Sequence, residues 1–326
     1  MSSPLPDVSV ILPCRNGEVW IRQALESVRS QDLADMETIV VDDGSTDHSG
    51  DVVRREFPDV RLIRIEHAGP SRARNVGTKA ASGRFIQYLD CDDLLAPGKL
   101  KAQLEALAES GTSVAYGNWQ EWVRQPNGAY RPGRVVQRQI QGSPERALFT
   151  DFWCPPAVYL FRREIVEKVG AWNEGLPIIQ DARFVLDCAL QGGDFVYLPH
   201  VMAYYRLHST GSVSTQDPTG FVRDCLRNAM EVERWWAEHG GIDQGRWKAL
   251  LKVYGYVARS SFELDHPTFE DALRALERLK PGYTPENPFR LALVSKLLGY
   301  RRTESLALRY RRLKRFFQRL VSLRVL

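Results

Sequence analysis

No stretch of the chain approaches the roughly 18 consecutive apolar residues of a membrane-spanning helix, so no conventional span is expected. A basic, then apolar, then small-residue opening is also missing. An apolar strand begins at Val8 directly after a Pro-rich lead, so no secretory signal is expected and the working compartment is read as cytoplasmic. Neither GxGxxG nor GK[ST] occurs, which removes the dinucleotide fingerprint and the P-loop. Cysteine is sparse: Cys14, Cys91, Cys154, Cys188 and Cys225 are odd in number, scattered, and without the CxxC spacing of zinc or redox motifs. They are read as reduced thiols. There is no internal repeat and no low-complexity tract.

What is present is an ordinary globular composition, 44% hydrophobic and 26% charged over 326 residues, enough to bury a sizeable core in two lobes. The net charge of +4 conceals an asymmetry. From Arg290 to the end, eleven basic residues face the single acid Glu304, so that segment carries +10 and the remainder −6. A mildly acidic body with a basic tail argues against nucleic-acid binding as the role of the whole chain.

Apolar runs of strand length occur at Val8–Leu12, Thr38–Val41, Val60–Ile65 and Phe85–Leu89, separated by helical patterns over Val19–Ser30, Asp47–Phe57 and Ser71–Ala81. Alternation of this kind predicts βαβ units and a mainly parallel sheet with helices on both faces. Beyond Leu100 the pattern mixes a helix at Lys99–Glu109 with strands at Ser113–Asn118 and Ala157–Phe161. From about Phe221 only helices are expected, over Phe221–His239, Gln244–Phe262 and Phe269–Lys280. The division is therefore a catalytic domain over 1–220 and a helical region over 221–326.

Ligands of open α/β sheets lie outside the carboxyl ends of the strands. Two strands close there in acids, as Val41-Asp42-Asp43-Gly44-Ser45-Thr46-Asp47 and Leu89-Asp90-Cys91-Asp92-Asp93. Carboxylates so crowded repel unless a cation or donors sit among them. Hard oxygen ligands at Asp90 and Asp92 suit Mg²⁺ or Mn²⁺, whose remaining ligands come from water and a diphosphate. The structural alternative is that acids close strands because they satisfy turn and cap groups, and for Asp47 that alternative is preferred. Gly69-Pro70-Ser71 reads as a helix start followed by Arg72 and Arg74, cations that oppose the helix dipole unless an anion is near or both are solvated. Ala73, Gly77, Ala80 and Ala81 would let that helix lie close on the sheet.

The order VSVILPCRNG, IVVDDGSTD, GPSRARNVGTKAASGRFIQYLDCDD resembles the nucleotide-sugar domain of family 2 glycosyltransferases, over roughly Val8–Ser214. The resemblance implies the Rossmann-like GT-A fold and inverting transfer from a nucleotide-sugar donor, with UDP as the carrier. By the same likeness Pro13, Arg15, Asn16, Asp42 and Asp43 lie near the nucleoside and Arg74 near the nucleotide. Asp90-Cys91-Asp92 is then the DxD metal motif. The segment GAWNEGLPIIQDARFVLDCALQGGDFVYLP is similar to the family's acceptor side, where an acidic pair opens a helix; here the pair reads Gln180-Asp181 and Asn173 replaces a frequent aspartate. Asp181, sharing a helical face with Phe184, Val185 and Cys188, is the candidate general base, with helix capping as the alternative. Tyr204-Tyr205-Arg206-Leu207-His208-Ser209 is similar to a distal segment whose histidine reaches the metal or diphosphate, which makes His208 a third metal candidate.

Trp119, Trp122, Trp153 and Trp172 are candidates for an acceptor platform or for core positions. Family acceptors are often lipid-linked saccharides. The tail alternates Leu306, Tyr310, Leu313, Phe316, Phe317, Leu320 and Leu323 with arginines, as a helix that lies on an anionic membrane surface or packs internally. A nucleotidyltransferase acting on a sugar phosphate would need a Gly-rich loop that Pro13-Cys14-Arg15-Asn16-Gly17 does not supply. A binding protein without turnover is the remaining alternative, favoured by Gln180 alone.

Overall fold

The structure is a computed structural model that describes residues 6–125, 127–208, 213–285 and 289–310. Its strands are β1 (Val8–Cys14), β2 (Met36–Asp43), β3 (Arg61–Ile65), β4 (Phe85–Tyr88), β5 (Leu94–Leu95), β6 (Val114–Arg124), β7 (Tyr130–Val136), β8 (Leu160–Arg162) and β9 (Phe195–Leu207). The helices are α1 (Ile21–Arg29), α2 (Ser49–Glu56), α3 (Pro70–Ala80), α4 (Lys99–Ser110), α5 (Pro144–Thr150), α6 (Arg163–Val169), α7 (Gln180–Leu190), α8 (Val213–Gln216), α9 (Pro218–Glu238), α10 (Gln244–Leu264), α11 (His266–Leu279) and α12 (Phe289–Leu298). They form two compact units, 1–216 and 217–326.

The first unit is an α/β domain of the expected class. Its sheet runs β3-β2-β1-β4-β8-β6-β9-β5, with β7 hairpinned onto β6. β3, β2, β1 and β4 are parallel. All seven residues of β1 are buried, as a strand covered on both faces requires. α1 turns Ile21, Ala24, Leu25 and Val28 inward at helical spacing. α3 starts as its sequence predicts, with Gly69 at φ 93° before Pro70. Its small face reaches the sheet: a Cβ on Gly77 would stand 2.4 Å from Ile11 Cγ2, so a larger residue would force helix and strand apart.

Because β2 and β4 flank β1 on opposite sides, the chain reverses its winding between β1 and β4, the switch point where α/β sheets open a crevice. The remaining strands are mixed in direction: β8 is antiparallel to β4 and β6, and β9 is parallel to β6. β6 continues to Arg124, past the expected end at Asn118. The thirteen residues of β9 were not anticipated, because Pro199 interrupts them and their burial does not alternate. The sheet accommodates Pro199 by register shifts on either side of Asn118, where Gly117 pairs with Leu198 and Asn118 with Val201.

In the second unit Asp217 and Asp243 cap α9 and α10 through the N–H groups of Gly220 and Arg246. Buried Glu233 of α9 accepts from Tyr254 of α10 at 2.7 Å and from both Arg278 nitrogens of α11 at 2.8 Å, so one carboxylate ties three helices. No helix among the described residues is long and apolar enough to cross a membrane. The tail from Arg311 to Leu326 and residues 209–212 of the distal motif lie outside the described residues.

Candidate active site at the strand tips

Parallel register sets the site. Cys14 pairs with Asp42, and Asp42 with Arg64; on the other side of β1, Leu89 donates to the Ile11 carbonyl at 3.0 Å. The acids after β2 and after β4 therefore emerge at one edge, on either side of β1.

The loops after β1 and β2 are laced together. Asn16, in a left-handed conformation at φ 52°, takes Ser45 Oγ on its N–H at 3.0 Å and accepts from the Thr46 N–H at 2.9 Å. Asp42 is buried; its Oδ1 accepts from the Ser45 N–H at 2.8 Å, while Oδ2 has no hydrogen bond among the described residues and faces Arg64 Nε at 3.7 Å. Asp43 accepts from the N–H groups of Ala68 and Gly69 at 2.8 and 3.0 Å and from His67 Nδ1 at 2.9 Å. With that proton on Nδ1, His67 Nε2 is the acceptor for Arg15 Nη1 at 2.7 Å, so Asp43, His67 and Arg15 form a chain. Pro13 is buried within β1, leaving Arg15 and Asn16 as the exposed members of its loop. Asp47 accepts from the N–H groups of Ser49 and Glu18, the turn-closing role expected of it.

Arg74 joins the two halves of the unit. Its side chain is 2% exposed, donates from Nη2 to Asp90 Oδ1 and from Nη1 to Gln180 Oε1 at 2.5 Å, and lies over the Trp172 ring at 4.4 Å. Trp172 stacks in turn on Phe184 at 4.2 Å and is buried, which makes it core rather than platform. Neighbouring Arg72 makes an exposed pair with Glu174 at 3.6 Å and is the solvated member of the two.

Beyond Asp90, the Asp92 Oδ2 and His208 Nε2 atoms meet at 2.7 Å, both partly open to solvent. Buried Asp93 accepts from the Arg206 N–H at 3.0 Å. The Arg206 guanidinium holds the Asp92 carbonyl and Gln23 from behind, within 5.3–5.7 Å of the rings of Trp20, Trp122 and Tyr130. Burial raises the Asp90 carboxyl above its ordinary range, opposed by Arg74 and reinforced by the charges of Asp92 and Asp181. Burial, then Asp92 and Asp90, push Asp93 well above it. Carboxylates crowded and buried in this way are stabilised as anions by a bound cation.

Among the described residues no three His, Cys, Asp or Glu side chains already converge as a metal cage. Asp92 Oδ2 and His208 Nε2 are paired with each other at the partly exposed side, where a cation would take the place of their mutual contact, whereas Asp90 is engaged by Arg74. A carboxylate and an imidazole suit Mn²⁺, or Mg²⁺ less well, provided water and a diphosphate complete the shell.

On the other side of Arg74, Asp181 stands in the first turn of α7 beside Gln180, with Phe184, Val185 and Cys188 buried on the helix as its spacing predicts. Asp181 Oδ2 accepts from Trp153 Nε1 at 2.7 Å. Trp153 meets Trp119 and Tyr205 edge-on, at 6.0 and 5.8 Å. Sequence reasoning missed His67, the Arg206 clamp and the Trp153 indole contact. The sequence marked Trp153 as one of four platform or core candidates and Arg206 as part of the distal segment before His208, and neither reading reveals a partner.

Residues 9–170 match the model for Glycosyl transferase family 2. The chain is 40% identical over 116 residues to the Escherichia coli UDP-Glc:alpha-D-GlcNAc-diphosphoundecaprenol beta-1,3-glucosyltransferase WfgD, covering 35% of this chain and 46% of that protein. It is 28% identical over 260 residues to the uncharacterized glycosyltransferase EpsJ of Bacillus subtilis strain 168, covering 77% and 75% of the two. The chain spans less than half the length of several such relatives, 48% for a Haemophilus influenzae glycosyltransferase and 21% for one of Rickettsia bellii. Among solved structures, S. aureus TarS 1-349 in complex with UDP-GlcNAc superposes with a TM-score of 0.66 at 21% identity, over 92% of this chain and 90% of that one. This likeness establishes the GT-A fold.

Proposed function

Residues 9–170 place this chain in glycosyl transferase family 2, and from that membership we propose that it moves a sugar from a nucleoside diphosphate carrier, UDP, to a hydroxyl of a saccharide or lipid-linked saccharide, inverting the anomeric centre. The observation that carries the proposal is Arg74. A buried guanidinium that touches both Asp90 and Gln180 ties the carboxylate at the tip of β4 to the carboxamide at the start of α7, next to Asp181. Donor and acceptor chemistry then share a wall.

In this reading Arg15, Asn16, Asp42 and Asp43 shape the nucleoside pocket, the last two by holding its loops. Asp92 and His208, with Asp90 beside them, would hold Mn²⁺ or Mg²⁺, which when bound supplies positive charge for the departing diphosphate. Asp181 takes the proton of the acceptor hydroxyl as that oxygen bonds to the anomeric carbon and the carbon–diphosphate bond breaks. The Trp153 indole holds the carboxylate in place for that transfer. Most of the rate then comes from positioning and charge stabilisation. A donor of UDP type is supported by the UDP-Glc named for the E. coli relative and the UDP-GlcNAc bound to TarS 1-349. A cation is supported by the Mn²⁺ and GDP-Man held by the Pyrobaculum calidifontis mannosyltransferase PcManGT, similar at 21% identity with a TM-score of 0.50.

Attachment to an anionic membrane surface completes the proposal. Leu293, Leu297, Leu306 and Tyr310 are exposed at 54%, 80%, 47% and 67%, interleaved with Arg301, Arg302 and Arg309, the composition of an interfacial helix. Liposome sedimentation with and without the residues after Tyr300 tests it, and equal partitioning of both would remove the membrane.

The donor is tested by melting the protein with nucleotide sugars in the presence and absence of Mn²⁺. A ligand that binds only the folded state raises Tm, by an amount equivalent to about 2.7 kcal/mol at one hundred times Kd. UDP-sugars should stabilise in a Mn²⁺-dependent manner. No shift with any nucleoside diphosphate sugar would overturn the reading.

A further inference from the structure

Cys14 closes β1, and Cys91 stands between Asp90 and Asp92 beyond β4. The two strands pair from Val8↔Phe85 to Ile11↔Tyr88, and the same offset carries Cys14 opposite Cys91. Neighbouring strands lie about 4.8 Å apart, within the roughly 4.4–6.8 Å that a disulfide spans between Cα atoms. The sulfurs converge as well. A Cβ built on Gly17 would stand 2.9 Å from each Sγ. Gly17 is thus the gap over which the two thiols meet. Cys14 is 2% exposed and Cys91 half-buried, and all five cysteines are free in this state.

We propose that Cys14 and Cys91 form a dithiol modification site for small peroxides, whose oxidation to a disulfide displaces the acid loop of the proposed donor site. The half-buried Cys91 sulfur attacks one peroxide oxygen, the O–O bond breaks, and Cys91 becomes a sulfenic acid while the other oxygen leaves as water. Cys14 sulfur then attacks Cys91 sulfur, expelling the second oxygen as water. The pair loses two protons and two electrons in all, and one hydrogen peroxide yields two waters.

The consequence is geometric. A disulfide holds its sulfurs about 2.05 Å apart, inside the contact distance of two free thiols, so bonding ties Cys91 to the end of β1. Asp90 and Asp92 flank it in sequence. Misplacement by about 1 Å can cost on the order of a hundredfold in rate.

The cross-link stands on the cysteines alone, whereas its effect on donor binding rests on the proposed function. The full chain, treated with hydrogen peroxide, is read by intact mass, thiol titration and peptide mapping after alkylation. Expected are a loss of about 2 Da, two fewer titratable thiols, and a Cys14–Cys91 linked peptide that dithiothreitol reverses. C91S at the half-buried position and C14S should each prevent it, and G17A, whose methyl would wedge between the sulfurs, should slow it at least fivefold. UDP–Mn²⁺ binding, followed by thermal shift, should weaken at least tenfold on oxidation and recover on reduction. Unchanged thiols, a different linked pair, or sulfinic acid on a single cysteine would overturn the site. A reversible cross-link with undiminished UDP–Mn²⁺ binding would overturn its control of the donor. If the reduced protein binds no nucleotide, the proposed function fails while the cross-link is still decided by mass.

Discussion

The indole nitrogen of Trp153 lies 2.7 Å from Asp181 Oδ2 and donates its proton there. Trp153 is packed edge-on between Trp119 and Tyr205, so ring and hydrogen bond can be separated experimentally. Trp153→Phe keeps an aromatic ring and removes the donor. A hydrogen bond to a charged group is worth about 1.5–3 kcal/mol, so kcat should fall about tenfold or more with the donor KM unchanged. Wild-type kcat in this variant would show that the indole does not hold the base.

Asp181 and Asp92 should fail in different ways. Asp181→Asn retains the shape of α7 but cannot accept the acceptor proton, and loss of a general base costs on the order of 10²–10⁴ in rate. Donor affinity should hold. Asp92→Ala removes the carboxylate that meets His208, and should weaken UDP-sugar binding in Mn²⁺ while changing binding in a chelator little. Calorimetry with UDP in Mn²⁺ and in EDTA distinguishes them; full transfer by Asp181→Asn, or equal losses with and without metal for Asp92→Ala, would reverse the assignments.

Much of this arrangement was legible before any coordinates. β1 and β2 announce themselves because strands buried on both faces are continuous apolar runs, and the tips of β2 and β4 are marked by clustered acids. The start of α3 was legible from Gly69-Pro70 and its close packing from Ala73 and Gly77. β9 was hidden by Pro199 and by irregular burial, so no periodicity betrayed it. Long-range polar partners were hidden for a different reason: nothing local in Arg74 says that it reaches residue 180, because that contact exists only once α3 and α7 are brought together. The four tryptophans shared one reading in the sequence, and the fold separates them, Trp172 into the core and Trp153 onto Asp181.

Gly77→Ala tests the close approach of α3 without any knowledge of substrate. The added methyl would meet Ile11 Cγ2 at 2.4 Å and Val41 Cγ2 at 3.3 Å, both in the buried parallel sheet, where neither strand can yield freely. Overpacking of this kind costs about 1–3 kcal/mol, or a Tm lower by about 2–12 °C. The helix propensity of alanine works in the opposite direction by up to about 1 kcal/mol, so a variant more stable than wild type would mean that α3 can shift away at no cost.

Acid stability of the helical unit should depend on Asp265, which sits between α10 and α11. Arg223 donates to both its oxygens at 2.8 and 3.0 Å and Thr268 to one, and these bonds, Arg223 first, lower its carboxyl from the ordinary 3.8 to about 2. A carboxylate held low in the folded state stabilises fully above its unfolded value and loses that contribution as pH falls through the folded one. The stabilisation should therefore be intact at pH 5 and above and decline between about pH 4 and pH 2. Asp265→Asn removes the titrating group, so the variant should be less stable than wild type at pH 7, with the gap narrowing across that window. Urea unfolding at each pH, followed by tryptophan fluorescence, measures the gap, and a difference that stayed constant from pH 7 to pH 2 would mean that Arg223 contributes no charge-dependent stability.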